Sequence, residues 1–212
     1  ADQSVRAGLD QYLNGLRYLR DHKDILVITL HKAANALIVS GAFQVMQVRL
    51  TEQVFVIGEG GGTGLGIMYA TVGVGTGVGP LVARYFTGDR DRPQRIAIAV
   101  SYVITAIGMV IMSSLASFEW VLVGTFLRGV GVGIGWVFST QLLLQMLPNR
   151  VRGRVFATEF AIMTLLNACG AAAGGWALDQ SGMGFSALIG AMGGLILIPG
   201  VLWVVWMTVR RP

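Results

Sequence analysis

The stretch LPNRVRGRVFATE, Leu147–Glu159, decides the fold because three arginines stand in it between two long apolar runs. Three cations so close together do not lie in hydrocarbon, so they mark a short loop on one side of a membrane. Each flanking run is long enough to be a helix that crosses a bilayer. The arginines from which the rest of the chain can be oriented are Arg150, Arg152 and Arg154.

The composition of the 212 residues excludes an ordinary soluble domain. Hydrophobic side chains make up 54% of the chain and charged ones 13%, and the mean hydropathy is +0.65. The formal net charge is +5, but the basic residues form short clusters between apolar runs, where orientation in a membrane explains them. The lipid bilayer is therefore a predicted partner, and nucleic acid is not.

The apolar runs and polar breaks predict an all-α, polytopic membrane protein with a bundle of six transmembrane helices over residues 25–209. The spans are predicted at about 25–48, 64–86, 96–115, 120–147, 155–178 and 185–209. Residues 1–24 are predicted to form a cytoplasmic amphipathic linker helix, and residues 210–212 a cytoplasmic tail. Lying on the membrane and binding a partner both fit the linker helix.

Basic residues are divided unequally between the two sides of the predicted bundle. One side holds thirteen, in the N-terminal segment, two loops and the C-terminal tail, whereas the other side holds only Arg49. The rule that basic loops stay inside the cell makes the first side cytoplasmic. The sequence thus predicts a multi-pass protein of the cell membrane with both termini in the cytoplasm.

Polar residues inside the predicted spans are the candidates for a substrate or ion pathway, because such groups are expected to face protein or water. In the first span, His31, Lys32 and Asn35 lie on neighbouring parts of one helix face. Arg128 and Asn167 are the candidates in the fourth and fifth spans. Two alternatives stay open: Lys32 reaching back to the membrane interface, and Arg128 pairing in a purely structural role.

Glycines four residues apart in the spans predict close helix packing, since small residues let two backbones approach in lipid. In the second span both Gly73 with Gly77 and Gly75 with Gly79 have this spacing. The predicted packing residues are Gly73, Gly77, Gly131, Gly135, Gly170 and Gly174.

Glu159 is the only acidic residue inside a predicted span, four residues from the arginine loop. We expect it to pair with Arg152 or Arg154 rather than to relay protons. A proton-coupled carrier needs a titratable group in its path. Coupling would then use a carboxylate elsewhere in the carrier, or His31.

The sequence does not predict an enzyme. Three serines inside apolar segments lack a histidine partner, because both histidines lie near the basic end of the first span. One cysteine and two histidines do not make a closed zinc site, and no nucleotide-binding motif of an ATP-driven pump is present. No catalytic residue, metal or cofactor is therefore predicted.

Two segments of the chain resemble each other. GVGPLVARYFTGD after the second span and GAAAGGWALDQSG after the fifth each close a glycine-rich helix with an aromatic residue and an acidic turn. This favours three spans repeated twice. A three-plus-three inverted repeat is the build of each half of a major facilitator superfamily transporter.

Longer stretches resemble that superfamily, in the branch that includes the bacterial enterobactin exporter. QLLLQMLPNRVRGRVFATEFAIMTLLNACGAAAGGWALDQSG resembles its tenth helix, the following loop and its eleventh helix. LGIMYATVGVGTGVGPLVARYF resembles its eighth helix, and GLDQYLNGLRYLRDHKDILVITL its central cytoplasmic loop entering helix seven. The resemblance covers essentially the whole chain and implies the C-terminal six of twelve helices, in a bacterial cytoplasmic membrane.

The resemblance implies a secondary active transporter, an exporter of small organic compounds, that works by alternating access. Its partners would be an N-terminal six-helix half, a small-molecule substrate and protons. The loops that match the family's cytoplasmic gate contain Arg84, Arg90, Arg92, Arg152, Gly153 and Arg154. A different class stays open: a six-helix membrane scaffold, or half-size module, that assembles with a partner through its glycine faces.

Overall fold

The structure, a computed structural model, describes residues 13–180 and 182–209, whose regular secondary structure is entirely helical. Six of its helices are long and apolar enough to cross a membrane, which makes the chain a multi-pass membrane protein. The predicted number of spans is confirmed. In chain order the first to sixth spans are Lys23–Gln53, Glu59–Thr87, Asp91–Ser113, Phe118–Met146, Asn149–Gln180 and Phe185–Val209.

The arginine-rich loop between the fourth and fifth spans is shorter than predicted. The fourth helix ends at Met146 and the fifth begins at Asn149, so only Leu147 and Pro148 connect them. Proline has no backbone N–H with which to continue the fourth helix, so Pro148 separates the two helices. The three arginines therefore lie on the first turns of the fifth helix.

The first span changes its helix type in the middle. Lys23–Asn35 and Ala42–Gln53 are α-helical, and Ala36–Gly41 between them forms a π turn. A π turn closes its hydrogen bonds over five residues rather than four and so holds more residues than an α turn. Such turns occur frequently at functional sites.

The sixth span is also divided, into Phe185–Leu195 and Leu197–Val209. Pro199 follows the junction closely. Its ring crowds the carbonyl group four residues before it, which is that of Leu195, the last residue of the first piece. The bend expected from this proline therefore falls on its N-terminal side.

The first and fourth spans form the centre of the bundle. Their apolar stretches are each 56% buried, compared with 44% and 39% in the third and sixth spans and 22% in the second and fifth. The second span packs on the fourth, the fifth packs on the first, and the third packs against both the fourth and the sixth. The second and fifth spans are therefore the most exposed of the six.

The second span packs through a different glycine pair from the one predicted. A Cβ atom on Gly75 would lie 2.5 Å from the carbonyl oxygen of Phe126, and one on Gly79 would lie 2.7 Å from a backbone oxygen of the fourth span. Gly73 and Gly77 have no described atom within 4 Å of such a Cβ. Residues two apart point in nearly opposite directions on a helix, so only one pair faces the fourth span.

The other four predicted packing glycines lie at helix contacts. Gly131 and Gly135 face the third span, and Gly170 and Gly174 face the first. A Cβ atom on Gly170 would lie 2.3 Å from a backbone oxygen of the π turn. The fifth span therefore approaches the π turn backbone to backbone.

The predicted linker helix is described only in part, because residues 1–12 lie outside the described residues, as does the predicted tail at 210–212. Residues 13–21 are helical, and Leu19 is buried. A Cβ atom on Gly15 would overlap the side chain of Thr158 in the fifth span. This part of the segment therefore packs against the arginine-rich end of the fifth span.

Candidate functional site

A cavity of about 250 Å³ lies where the first, fourth and fifth spans meet. Four of the five predicted pathway residues line it, and Arg128 does not. Its apolar wall includes the rings of Trp136 and Phe160. The polar side chains that line it are those of His31, Lys32, Asn35, Ser40, Gln44, Thr164 and Asn167.

Lys32 connects the three spans around the cavity. Its ammonium Nζ donates to Thr140 Oγ1 at 2.6 Å and lies 2.8 Å from Glu159 Oε1, with the ring centroid of Trp136 4.9 Å away. The two charged side chains are only 4% and 6% exposed. Lys32 therefore does not reach back to the membrane interface, which was the alternative interpretation of this residue.

The expected pairing of Glu159 with an arginine of the nearby loop is wrong. The fifth helix begins at Asn149, which places Glu159 about 15 Å along the helix from its start, at a rise of about 1.5 Å per residue. Lys32 lies at a similar depth, about 13 Å from the start of the first span. A buried ammonium and a buried carboxylate at one depth stabilise each other.

Arg152 uses its guanidinium to cap the fourth helix. Its Nε donates to the carbonyl oxygen of Leu147 at 3.1 Å, and its Nη2 donates to that of Leu144 at 2.7 Å. The last carbonyl groups of a helix have no partner within the helix, so a basic side chain there is stabilising. One of the two arginines predicted to pair with Glu159 is thus occupied elsewhere.

His31 lies at the edge of the cavity and contacts the third and sixth spans. Its Nδ1 forms a hydrogen bond with the hydroxyl group of Tyr102, and its ring centroid lies 5.2 Å from that of Trp203. Gly135 lies beside the imidazole, since a Cβ atom there would be at an ordinary contact distance of 3.7 Å from ring atoms of His31. The histidine therefore joins the cavity to the outer helices.

Arg128 is buried in a separate place. Its guanidinium lies 3.7 Å from the ring centroid of Phe43, and its Nε has no hydrogen-bond partner among the described residues. Seven residues separate it from Gly135 beside the cavity, which corresponds to about 10 Å along the fourth helix. The structure does not bring Arg128 together with the other four candidates.

Arg128→Met is expected to leave the free energy of unfolding unchanged or to raise it. The desolvation penalty of a buried charge is several kcal/mol, and a desolvated cation–π contact returns only about 2 kcal/mol. Unfolding in mixed detergent micelles, followed by circular dichroism, measures the difference. Phe43→Leu, which removes the aromatic partner and keeps the charge, serves as the control and should destabilise. A loss above about 2 kcal/mol in Arg128→Met would instead assign the arginine a structural role.

Three polar residues of the cavity wall were not among the predicted pathway residues: Ser40, Gln44 and Thr164. In an α-helix, each step of four residues rotates the side-chain direction by about 40°, and Gln44 lies three such steps beyond Lys32. An uninterrupted α-helix would therefore point Gln44 about 120° away from Lys32. The π turn between Lys32 and Gln44 offsets this rotation, so the side chains of Lys32 and Gln44 both line the cavity. No feature of the sequence that we used predicts a π turn.

The predicted gate residues between the second and third spans form a small polar cluster. Arg84 pairs with Asp89 at 2.8 Å, and Asp89 also accepts a hydrogen bond from Gln141 Nε2 at 2.8 Å. Arg90 donates to the carbonyl oxygen of Thr87 at 3.3 Å. The cluster ties this loop to the fourth span, while the other gate residues, Arg92, Gly153 and Arg154, are exposed.

An ion pair joins the first and fifth spans at the opposite end of the bundle. The guanidinium of Arg49 contacts the carboxylate of Asp179 through both of its terminal nitrogens, at 2.5 and 3.2 Å. Arg49 was the single basic residue predicted on that side. Both ends of the fifth span are therefore tied to neighbouring helices.

Metal-binding geometry is not found in the part of the chain that the structure describes. No group of three or more His, Cys, Asp or Glu side chains there could hold a metal ion. The single cysteine, Cys169, is exposed.

No family model, no curated protein and no solved structure matches the chain. The class of protein, a multi-pass membrane protein of six helices, therefore follows from the helices themselves. Any more specific function has to be argued from the cavity and its charged pair.

Proposed function

We propose that the chain is the C-terminal half of a secondary active transporter that exports small organic compounds by alternating access. The observation that carries the proposal is the cavity between the first, fourth and fifth spans, which seven polar side chains line about halfway along the helices. Ionisable and amide groups are costly at that depth, and in membrane proteins they mark substrate or ion pathways. The major facilitator resemblance supports the same assignment.

One pair of helix contacts and the burial of the spans support a three-plus-three inverted repeat. Such a repeat relates the first span to the fourth, the second to the fifth and the third to the sixth. The contact between the second and fourth spans then corresponds to the contact between the fifth and first spans, and both contacts are present. The same relation pairs spans of equal or similar burial: 56% with 56%, 22% with 22%, and 44% with 39%. Repeats of this kind place the substrate site at their interface, near the bilayer midplane.

The two least buried spans are the proposed contact surface for an N-terminal six-helix half. The fifth span also contributes Phe160, Thr164 and Asn167 to the cavity, so a second half seated there would complete the cavity wall. This half would belong to the same polypeptide or to a partner chain. In the orientation favoured by the basic residues, both termini and the arginine clusters are cytoplasmic.

The arginine contacts suit a gate that opens and closes. The pairs of Arg84 with Asp89 and of Arg49 with Asp179 are partly exposed, and such pairs typically contribute about 0–1 kcal/mol. Contacts this weak exchange readily between two conformations. We therefore assign the polar cluster around Arg84, together with the Arg152 cap on the fourth helix, to the cytoplasmic gate of the proposed carrier.

A second class of function, a membrane scaffold or half-size module, is favoured by one observation. Gly73 and Gly77 present an open glycine face on the second span, which is the kind of surface that packs against another helix in lipid. The mass of the native gene product separates the two functions. A single polypeptide near twice 22.6 kDa supports the transporter, whereas one of 22.6 kDa supports the module.

Alternating access predicts that the cavity is reached by water from each side of the membrane in turn. In a Cys169→Ser background, Ser40→Cys places a thiol in the cavity wall with little change in size. We expect a membrane-impermeant thiol reagent to label this variant of the native gene product in both right-side-out and inside-out vesicles.

Ser101→Cys is the matched control, because the same substitution there lies buried between the third and fourth spans. It should remain unlabelled from either side. Labelling of Ser40→Cys from one side only, or from neither, would contradict alternating access and favour the scaffold.

A further inference from the structure

We propose that the cavity binds a small organic anion, whose negative group contacts the Lys32 ammonium in competition with Glu159. This inference deepens the proposed function, since it names the chemical class of the substrate at the same site. It rests on the charge, the hydrogen-bonding groups and the size of the cavity wall.

The charged group that faces the cavity is positive. Lys32 belongs to the cavity wall, whereas its partner Glu159 does not, and no carboxylate of the described residues lines the cavity. The amides of Asn35 and Asn167 add N–H donors to the same wall, and the hydroxyl of Ser40 donates to Asn35 Oδ1 at 3.3 Å. An organic cation would meet the ammonium without a facing negative charge, so the wall selects against it.

Lys32 keeps one donor for a ligand. An ammonium group has three N–H donors. Thr140 accepts one at 2.6 Å, and Glu159, which does not line the cavity, lies 2.8 Å away. A bound anion would take the third donor, and the Trp136 ring, whose centroid lies 4.9 Å from Nζ, belongs to the same cavity wall.

The rest of the wall suits a compact apolar body. Trp136 and Phe160 provide aromatic faces, and Val132 and Met163 provide aliphatic surface. The volume of about 250 Å³ is slightly below the range of about 300–1,000 Å³ that is usual for drug-sized ligands. A single aromatic ring that carries a carboxylate matches both the size and the chemistry.

Glu159 acts as the internal counter-ion of Lys32 when the cavity holds no anion. A ligand carboxylate and the Glu159 carboxylate then compete for one buried ammonium. Removing the charge of Glu159 should therefore strengthen anion binding, and removing the charge of Lys32 should weaken it. If the pair served only to hold the helices together, removing either charge would weaken anion binding.

The test is equilibrium binding of benzoate to the native gene product, purified in detergent, by isothermal titration calorimetry. Benzamide and benzylammonium carry the same ring with no charge and with a positive charge, and they serve as matched probes. We expect benzoate to bind best of the three. Glu159→Gln should tighten benzoate binding about tenfold or more, and Lys32→Gln should weaken it by a similar factor.

The double variant Lys32→Gln/Glu159→Gln keeps the test valid if a single variant fails to fold, because it leaves no unpaired buried charge. It should bind benzoate as weakly as Lys32→Gln and show no preference among the three probes. Circular dichroism checks that each variant retains its helices. Weaker benzoate binding in Glu159→Gln, or tighter binding of benzylammonium than of benzoate by the unaltered protein, overturns the proposal.

This experiment is independent of the thiol-labelling test of transport. Labelling of Ser40→Cys from both sides together with no preference for benzoate would overturn the anion site alone. Labelling from one side only, with the preference for benzoate intact, would overturn alternating access and leave the anion site standing.

Discussion

Lys32→Met is expected to lower the free energy of unfolding by about 3–5 kcal/mol, the usual effect of removing one partner of a buried ion pair. The substitution leaves the Glu159 carboxylate without its ammonium in a place that is 6% exposed. Methionine is close to lysine in length, so the change removes the charge and little of the packing. Adding Glu159→Gln to the same chain should restore most of the lost stability, because no unpaired charge then remains.

Unfolding in mixed detergent micelles, followed by circular dichroism, measures these differences. Lys23→Met is the matched control, since it makes the same substitution at an exposed lysine in the same span and should change stability by no more than about 0.5 kcal/mol. A double variant as unstable as Lys32→Met would show that the two charges are not energetically coupled. Methionine at position 32 should also abolish transport by the intact carrier.

Gly170→Ala is expected to destabilise the bundle by about 1–3 kcal/mol, the usual range for overpacking a tight contact. The new Cβ atom would lie 2.3 Å from the carbonyl oxygen of Leu37 and 3.0 Å from its carbonyl carbon. Both are backbone atoms of the π turn, so neither moves aside as a flexible side chain would. The fifth span must shift away from the first, and the cavity between them changes shape.

Gly175→Ala provides the control on the same helix. There the nearest atom to the new Cβ is a methyl carbon of Val45 at 3.8 Å, an ordinary contact distance. Alanine is the better helix former by up to about 1 kcal/mol, so this variant should be as stable as the unaltered protein or slightly more stable. Equal unfolding free energies for the two variants would contradict the close approach of the fifth span to the π turn.

The number of spans and the polar face of the first span were predictable because both depend on short-range patterns. Apolar length sets the spans, and the spacing of His31, Lys32 and Asn35 sets a common face. The partner of Glu159 was not predictable in the same way. Its depth depended on where the fifth helix begins, and the three arginines suggested a loop where the helix has already started.

Choosing between equivalent patterns also requires the structure. The second span carries two glycine pairs of identical spacing, and only their orientation relative to the fourth span distinguishes Gly75 and Gly79 from Gly73 and Gly77. The separate position of Arg128 has the same origin. Helical spacing shows which residues share a face, but not which neighbouring helix that face meets.

The π turn of the first span makes the number of residues between Lys32 and Gln44 as important as their identity. One residue removed from or added to that interval would rotate everything beyond it by about 100° relative to Lys32. Gln44 would leave the cavity wall and Phe43 would leave the guanidinium of Arg128, although no side chain had been replaced. In this part of the protein, chain length itself determines which groups meet, so an insertion or deletion there acts on two buried cations at once.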